Sequence, residues 1–265
     1  MNIFIREMKV LIKSLILWCI ASFFLIVSGM AKFSGTSVSN ESMNELISKM
    51  PKSLLSIMGI GSFDLSKASG YYSVLFFYLV LMAAIHSAMI GANIISKEER
   101  DKTAEFIFVK PVSRSKIITE KLIAAFIIIL ILNIFISVSS ILIVNYFNNG
   151  ENLNEGILNL MIGLFILQLL FLFIGTAISA INKKPRTSIS ISTGILLIMF
   201  ILSVVIDIDS NLDFLKYLTP FKYFEAKNLM YGGQFDIIFI TLSIFIIIVC
   251  GIITYAFYNK KDLNI

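Results

Sequence analysis

Six long apolar runs, at residues 14–33, 71–95, 117–144, 157–181, 188–206 and 237–258, constrain this chain more than any other feature. Each approaches or exceeds the ~20 residues that carry a helix across the hydrocarbon core of a bilayer. The runs are continuous in Leu, Ile and Phe, whereas strands of a membrane barrel alternate apolar and polar residues over short segments. Composition closes the soluble alternative: the 265 residues are 57% hydrophobic and 15% charged, against about 25% charged in a soluble domain. The expected fold is a single all-α integral membrane domain with six transmembrane helices.

Placement of charge orients the runs. With residues 1–13 as an amphipathic helix at the membrane surface, both termini and the segments 97–116 and 182–186 fall on one side. That side holds 15 of the 22 Lys and Arg residues, as expected of the cytoplasmic face. The side carrying NYFNNGENLNEG and residues 207–236 holds 10 of the 17 acidic residues. A cleaved signal peptide is the rival reading of the N-terminus. Its removal would leave an odd number of spans and put the two basic loops on opposite faces. The basic character thus reflects membrane orientation, and no nucleic-acid partner is expected. Cys19 and Cys250 both lie in apolar runs and give neither a disulfide framework nor a metal-ligand spacing.

The segment KEERDKTAEFIFVKPVSRSK at 97–116 is the most densely charged stretch, wedged between two spans. Asp101 is placed to cap a helix of about ten residues starting at Lys102, with Glu105 favourable near its positive end. Pro111 stops that helix, and Ser113 is placed to cap the following span. Phe106, Val109 and Lys110 share one face at helical spacing. A solvated loop is the bland alternative, but the run FIFV is too apolar to lie in water without a partner or lipid. So short a helix is also marginal unless it docks.

These residues carry a resemblance. The pattern Glu99…Thr103-x-Glu105-Phe106…Pro111-Val112-Ser113-Arg114…Lys121-Leu122 resembles the cytoplasmic signature of the type-2 ATP-binding-cassette exporter permeases. Thr219-Pro220-Phe221-Lys222-Tyr223-Phe224, followed by Gly232-Gly233, resembles the last external connection of that family, and the six-span layout extends the likeness over nearly the whole chain. Lys102 departs from the pattern, since many members carry Gly there. The resemblance implies a homodimer in a bacterial cell membrane, with two copies of a separate ATPase holding ATP and Mg. It makes 101–110 a coupling helix, with Phe106 as its apolar plug and Glu99, Glu105 and Arg114 as contacts or braces. It also implies export, and the scarcity of charged residues at the span centres suggests a hydrophobic or amphipathic cargo. Size and short loops look similar to exporters of phenol-soluble-modulin-like peptides; bacitracin, lantibiotic and lipid exporters are the alternatives. In keeping with this, the chain has no GxxxxGK[ST] phosphate loop and no cofactor is expected on it.

Polar residues within the runs are sparse: His86, Asn93, Asn133, Asn159 and Gln168. A lone His there reads as hydrogen-bonded between helices or as part of a substrate path, and Asn133 and Gln168 read as interhelical glue. Gly91, Gly163, Gly175 and Gly194 are expected at close helix approaches. An intramembrane enzyme would need an acid–base pair or an activated nucleophile, which one His and the missing carboxylate clusters do not supply. An ion-coupled carrier would want titrating groups at the span centres, and no internal repeat of the secondary-carrier kind is visible.

Overall fold

No proline interrupts any of the six apolar runs, and each forms one unbroken helix. The protein is described here from a computed structural model covering residues 3–36, 47, 49–61, 63–102, 113–148 and 152–260. The long helices are α1 (Ile3–Thr36), α3 (Ala68–Arg100), α4 (Arg114–Phe147), α5 (Asn154–Ile181), α6 (Ser188–Ile208) and α8 (Ile237–Lys260). Two short ones, α2 (Lys52–Ile57) and α7 (Ala226–Leu229), sit in the connections. All six long helices are long and apolar enough to span a membrane, and no strand occurs among the described residues. The end of the bundle where α1 begins is called basal here, and the opposite end apical.

One expectation changes at the N-terminus. The basic start and the first apolar run form a single helix of 34 residues, not a surface helix followed by a separate span. Nothing in residues 3–13 breaks a helix, and Glu7 on this first stretch is buried against α3. At the apical connection Pro51 restarts the chain as expected, in extended geometry directly before α2. Ser113 caps α4, its hydroxyl accepting from the Lys116 amide at 3.4 Å.

The centre of the bundle is the pair α3–α5, with α1 and α4 packed to one side, α6 to the other and α8 along α5. In lipid, apolar side chains gain little from meeting each other instead of acyl tails, so close packing of small residues must hold helices together. Ala84, Ala88, Gly91 and Ala92 of α3 are buried. A methyl group on Gly91 would lie 2.2 Å from the Leu172 carbonyl oxygen, and one on Gly175 would lie 2.6 Å from that of Ala88. Gly163 plays the same part toward Phe224, whose Cβ lies 2.9 Å from where a methyl would sit. Gly194 has no atom within 4 Å of that position, so it is not a packing glycine as the sequence suggested. Outward faces are apolar throughout, with Leu17, Phe24, Ile198, Ile201, Phe245 and Ile252 exposed to the surroundings of the chain.

The apical connection between α6 and α8 is folded back onto the bundle. Phe221 packs against Phe171 and Phe200 at ring distances of 5.1 and 5.3 Å, and Tyr223 stacks on Phe239 at 4.8 Å. Thr219, fully buried, donates to the Met199 carbonyl at 2.8 Å. Gly232 has φ +80°, and a side chain on Gly233 would strike the Asn228 carbonyl at 2.2 Å. The Gly-Gly pair is therefore a tight turn that only glycine fits.

Overpacking the helix crossing should be costly. Gly91→Leu is expected to lose about 1–3 kcal/mol, whereas Gly194→Ala should stay within ~0.5 kcal/mol of the parent. Thermal melting of the purified chain in detergent checks both; equal effects would contradict the assigned crossing.

Candidate functional site at the basal end

Five charged side chains from three helices meet at the basal end. Glu7 of α1 is fully buried, Glu98 of α3 is 4% exposed and Lys121 of α4 is 0% exposed. The Arg6 guanidinium donates to Glu7 at 3.1 Å and to Glu98 at 2.9 Å. Lys97 pairs with the second oxygen of Glu7, and Lys121 with the second oxygen of Glu98. Lys121 also donates to the Ile94 carbonyl at 2.7 Å. Both carboxylates thus have an ion partner at each oxygen. This satisfaction is what makes the arrangement tolerable, because an unpaired ion would cost several kcal/mol to bury.

Hydrogen bonds extend the cluster to its neighbours. The Phe4 amide, one of the open donors at the start of α1, donates to Glu120 at 3.3 Å. Arg114 donates to the Asn259 carbonyl at 3.2 Å, and the Thr119 and Tyr255 hydroxyls lie 2.8 Å apart. These last bonds fasten the first turns of α4 to the end of α8. The basal ends of α1, α3, α4 and α8 are therefore tied together by polar contacts, while their midsections touch through apolar side chains.

The predicted coupling residues divide into two groups. Thr103, Glu105, Phe106, Val109 and Pro111 lie outside the described residues. Glu99, Asp101 and Arg114 flank that segment on the ends of α3 and α4. Asp101 does not open a helix at Lys102; it closes α3, its amide donating to the Lys97 carbonyl at 2.8 Å. Arg100 donates to the Asp101 carboxylate at 2.9 Å, and this hydrogen bond holds the carboxyl below its ordinary range. Lys102 then turns the chain with φ +54°, a left-handed conformation that costs a residue with a side chain about 1–2 kcal/mol. The departure noted from sequence thus stands where the backbone itself favours glycine.

Glu99 and Lys102 border a groove of about 420 Å³ whose other wall is the turn between α5 and α6, with Lys183, Lys184 and Arg186. The α3 end and this turn make one basic surface.

The intramembrane polar residues take distinct positions. Asn93 accepts from Arg100 of the same helix at 2.8 Å. Asn133 donates to the Met161 carbonyl at 3.1 Å and to Gln168 at 3.3 Å, linking α4 to α5. His86 is 1% exposed, yet neither ring nitrogen has a hydrogen-bond partner among the described residues. Its ring packs on Trp18 at 5.1 Å. No motif in the sequence marks Glu7 or Glu98, and Lys121 stands out only within the family-like pattern. The signal was present: each is a charge close to strongly apolar stretches, where it must find a partner.

A bundle of six apolar helices with a charge-locked basal end, without a nucleotide loop of its own, defines a multi-pass membrane component. A family model described as ABC-2 family transporter protein matches residues 1–263. The chain belongs to that family and is the membrane component of an ABC transporter. No curated relative matches it in sequence.

The ion cluster and the turn give two predictions. Glu98→Ala should cost about 3–5 kcal/mol, because it leaves Lys121 buried without its carboxylate. The double change Glu98→Leu with Lys121→Met should recover most of that loss on thermal melting; no recovery would show that the charges do not act as a pair. At the turn, Lys102→Gly should equal or exceed the parent's stability by up to ~1 kcal/mol, because it relieves the left-handed strain that Lys102 already bears. Lys102→Val should be less stable than the parent, since a β-branched residue tolerates φ > 0 worst.

Proposed function

We propose that this chain is the membrane-spanning permease of an ATP-driven exporter. It works as a homodimer in the cytoplasmic membrane of a bacterium, with both termini in the cytosol. Two copies of a separate ATPase, carrying ATP and Mg, dock at the basal end. The connection between α3 and α4, expected from sequence to hold a coupling helix at 101–110, is the coupling element, with Thr103, Glu105, Phe106 and Val109 meeting the ATPase and Pro111 ending the contact. Glu99, Asp101 and Arg114 brace it from either side. ATP binding closes the ATPase pair and shifts this element, and the permease alternates between inward and outward states.

The observation that carries this reading is the family match over residues 1–263, and the ion cluster gives it a physical route. A push on 103–112 reaches α3 and α4 directly, and Glu98 with its two cationic partners passes it to α1. The cargo is a hydrophobic or amphipathic molecule, with an amphipathic peptide of the phenol-soluble-modulin kind as the leading candidate. The span interiors, poor in charged groups, support an apolar surface on the cargo.

Phe106→Asp is the direct test. It should abolish co-purification with the ATPase, or stimulation of ATP hydrolysis, while the chain still inserts and melts normally. Full coupling in that variant would contradict the assignment. A panel of amphipathic peptides and lipids, read by stimulation of ATP hydrolysis in the complex, would identify the cargo class.

A further inference from the structure

At the apical end a cavity of about 490 Å³ opens within a single protomer, between α3, α5, α6 and the two apical connections. Its walls are aromatic: Phe76 and Phe77 from α3, Phe200 from α6, and Phe221 and Phe224 from the last connection. Phe77 and Phe200 lie 5.2 Å apart, and Phe200 and Phe221 5.3 Å. The hydroxyls of Ser73 and Ser203 in the lining are already bonded to the Ser69 and Phe200 carbonyls. Both hydroxyl protons are therefore spent within the protein.

The rim is charged. Lys222 is held between Asp207 and Glu225, so its charge is spent within the protein. Burial alone would lower its pKa, but the two carboxylates outweigh that and raise it. Lys52 and Lys227 also border the opening; both are exposed and neither has an ion partner among the described residues.

We propose that this cavity binds one acyl chain of an anionic phospholipid from the apical leaflet, with the lipid phosphate held by Lys52 and Lys227. Size favours this occupant over a helical peptide: one turn of helix, ~10 Å across with a 5.4 Å pitch, already fills roughly 400 Å³. A single extended chain fits between the rings, and the volume falls within the ~300–1,000 Å³ usual for ligand pockets. Access is also short. Phe200, Ser203 and Asp207 of α6 border the cavity, while Ile198, Ile201 and Val205 of the same helix are exposed. One helix thus separates the cavity from the surrounding hydrocarbon. The site stands independently of the cargo reading, and it would fix the apical connection onto α3 and α6.

The test uses the full chain in nanodiscs of phosphatidylcholine. It is doped with either phosphatidylglycerol or phosphatidylcholine carrying a photoactivatable diazirine in the acyl tail, and adducts are mapped by mass spectrometry. The phosphatidylglycerol probe should label the Phe77, Phe200 and Phe221 segments about thirtyfold more than the phosphatidylcholine probe, from ~1 kcal/mol for each of the two lysines near the head. Lys52→Glu with Lys227→Glu, both at the surface, should remove that preference. Ser203→Trp should block wall labelling while leaving labelling of the exposed α8 face intact. Equal labelling by both probes, indifference to the lysine pair, or displacement by an amphipathic helical peptide but not by excess phosphatidylglycerol would overturn the proposal.

Discussion

The Glu98 carboxylate, shared between Arg6 of α1 and Lys121 of α4, is the contact on which the basal architecture depends. A charge buried among apolar helices is stable only when its partners are fixed in place. Here the partners come from two other helices, so satisfying the charge also fixes three helix ends relative to one another. Glu7 repeats the arrangement with Arg6 and Lys97. The result is a bundle whose two ends differ in kind. The basal end is held by buried ionic contacts between helices, and the apical end by aromatic packing, a glycine turn and the pairs of Lys222 with Asp207 and Glu225.

That asymmetry suits a part that is moved by another. In lipid, apolar helices are held where small residues let them approach closely: the crossing of α3 and α5, with Gly91 against Leu172 and Gly175 against Ala88, lies between the two ends. On the proposed coupling, a displacement applied between α3 and α4 would reach α1 through the basal ion pairs.

Much of the fold was legible because hydrophobic run length is a strong signal: every long helix coincides with an apolar run to within a few residues, apart from the basic extension of α1. Pro51, Ser113 and the Gly232–Gly233 turn were readable for similarly local reasons. The basal cluster was not, because pairing of Glu7, Glu98 and Lys121 joins residues about 90 and 23 positions apart in the chain, and no periodicity reports it. Asp101 misled for a local reason. Its side chain suits either end of a helix, and only the left-handed turn at Lys102 decides that it closes α3.

The account requires that the basal end face the cytosol, where a soluble ATPase has access to it. Replacing Cys19 and Cys250 by Ala, then introducing single cysteines at Lys102 and at Lys227, allows each end to be probed separately. A membrane-impermeant maleimide should label Lys102→Cys only in inverted vesicles and Lys227→Cys only in right-side-out ones. The opposite pattern would leave the charge-locked end with no cytosolic partner to move it, and would contradict the account.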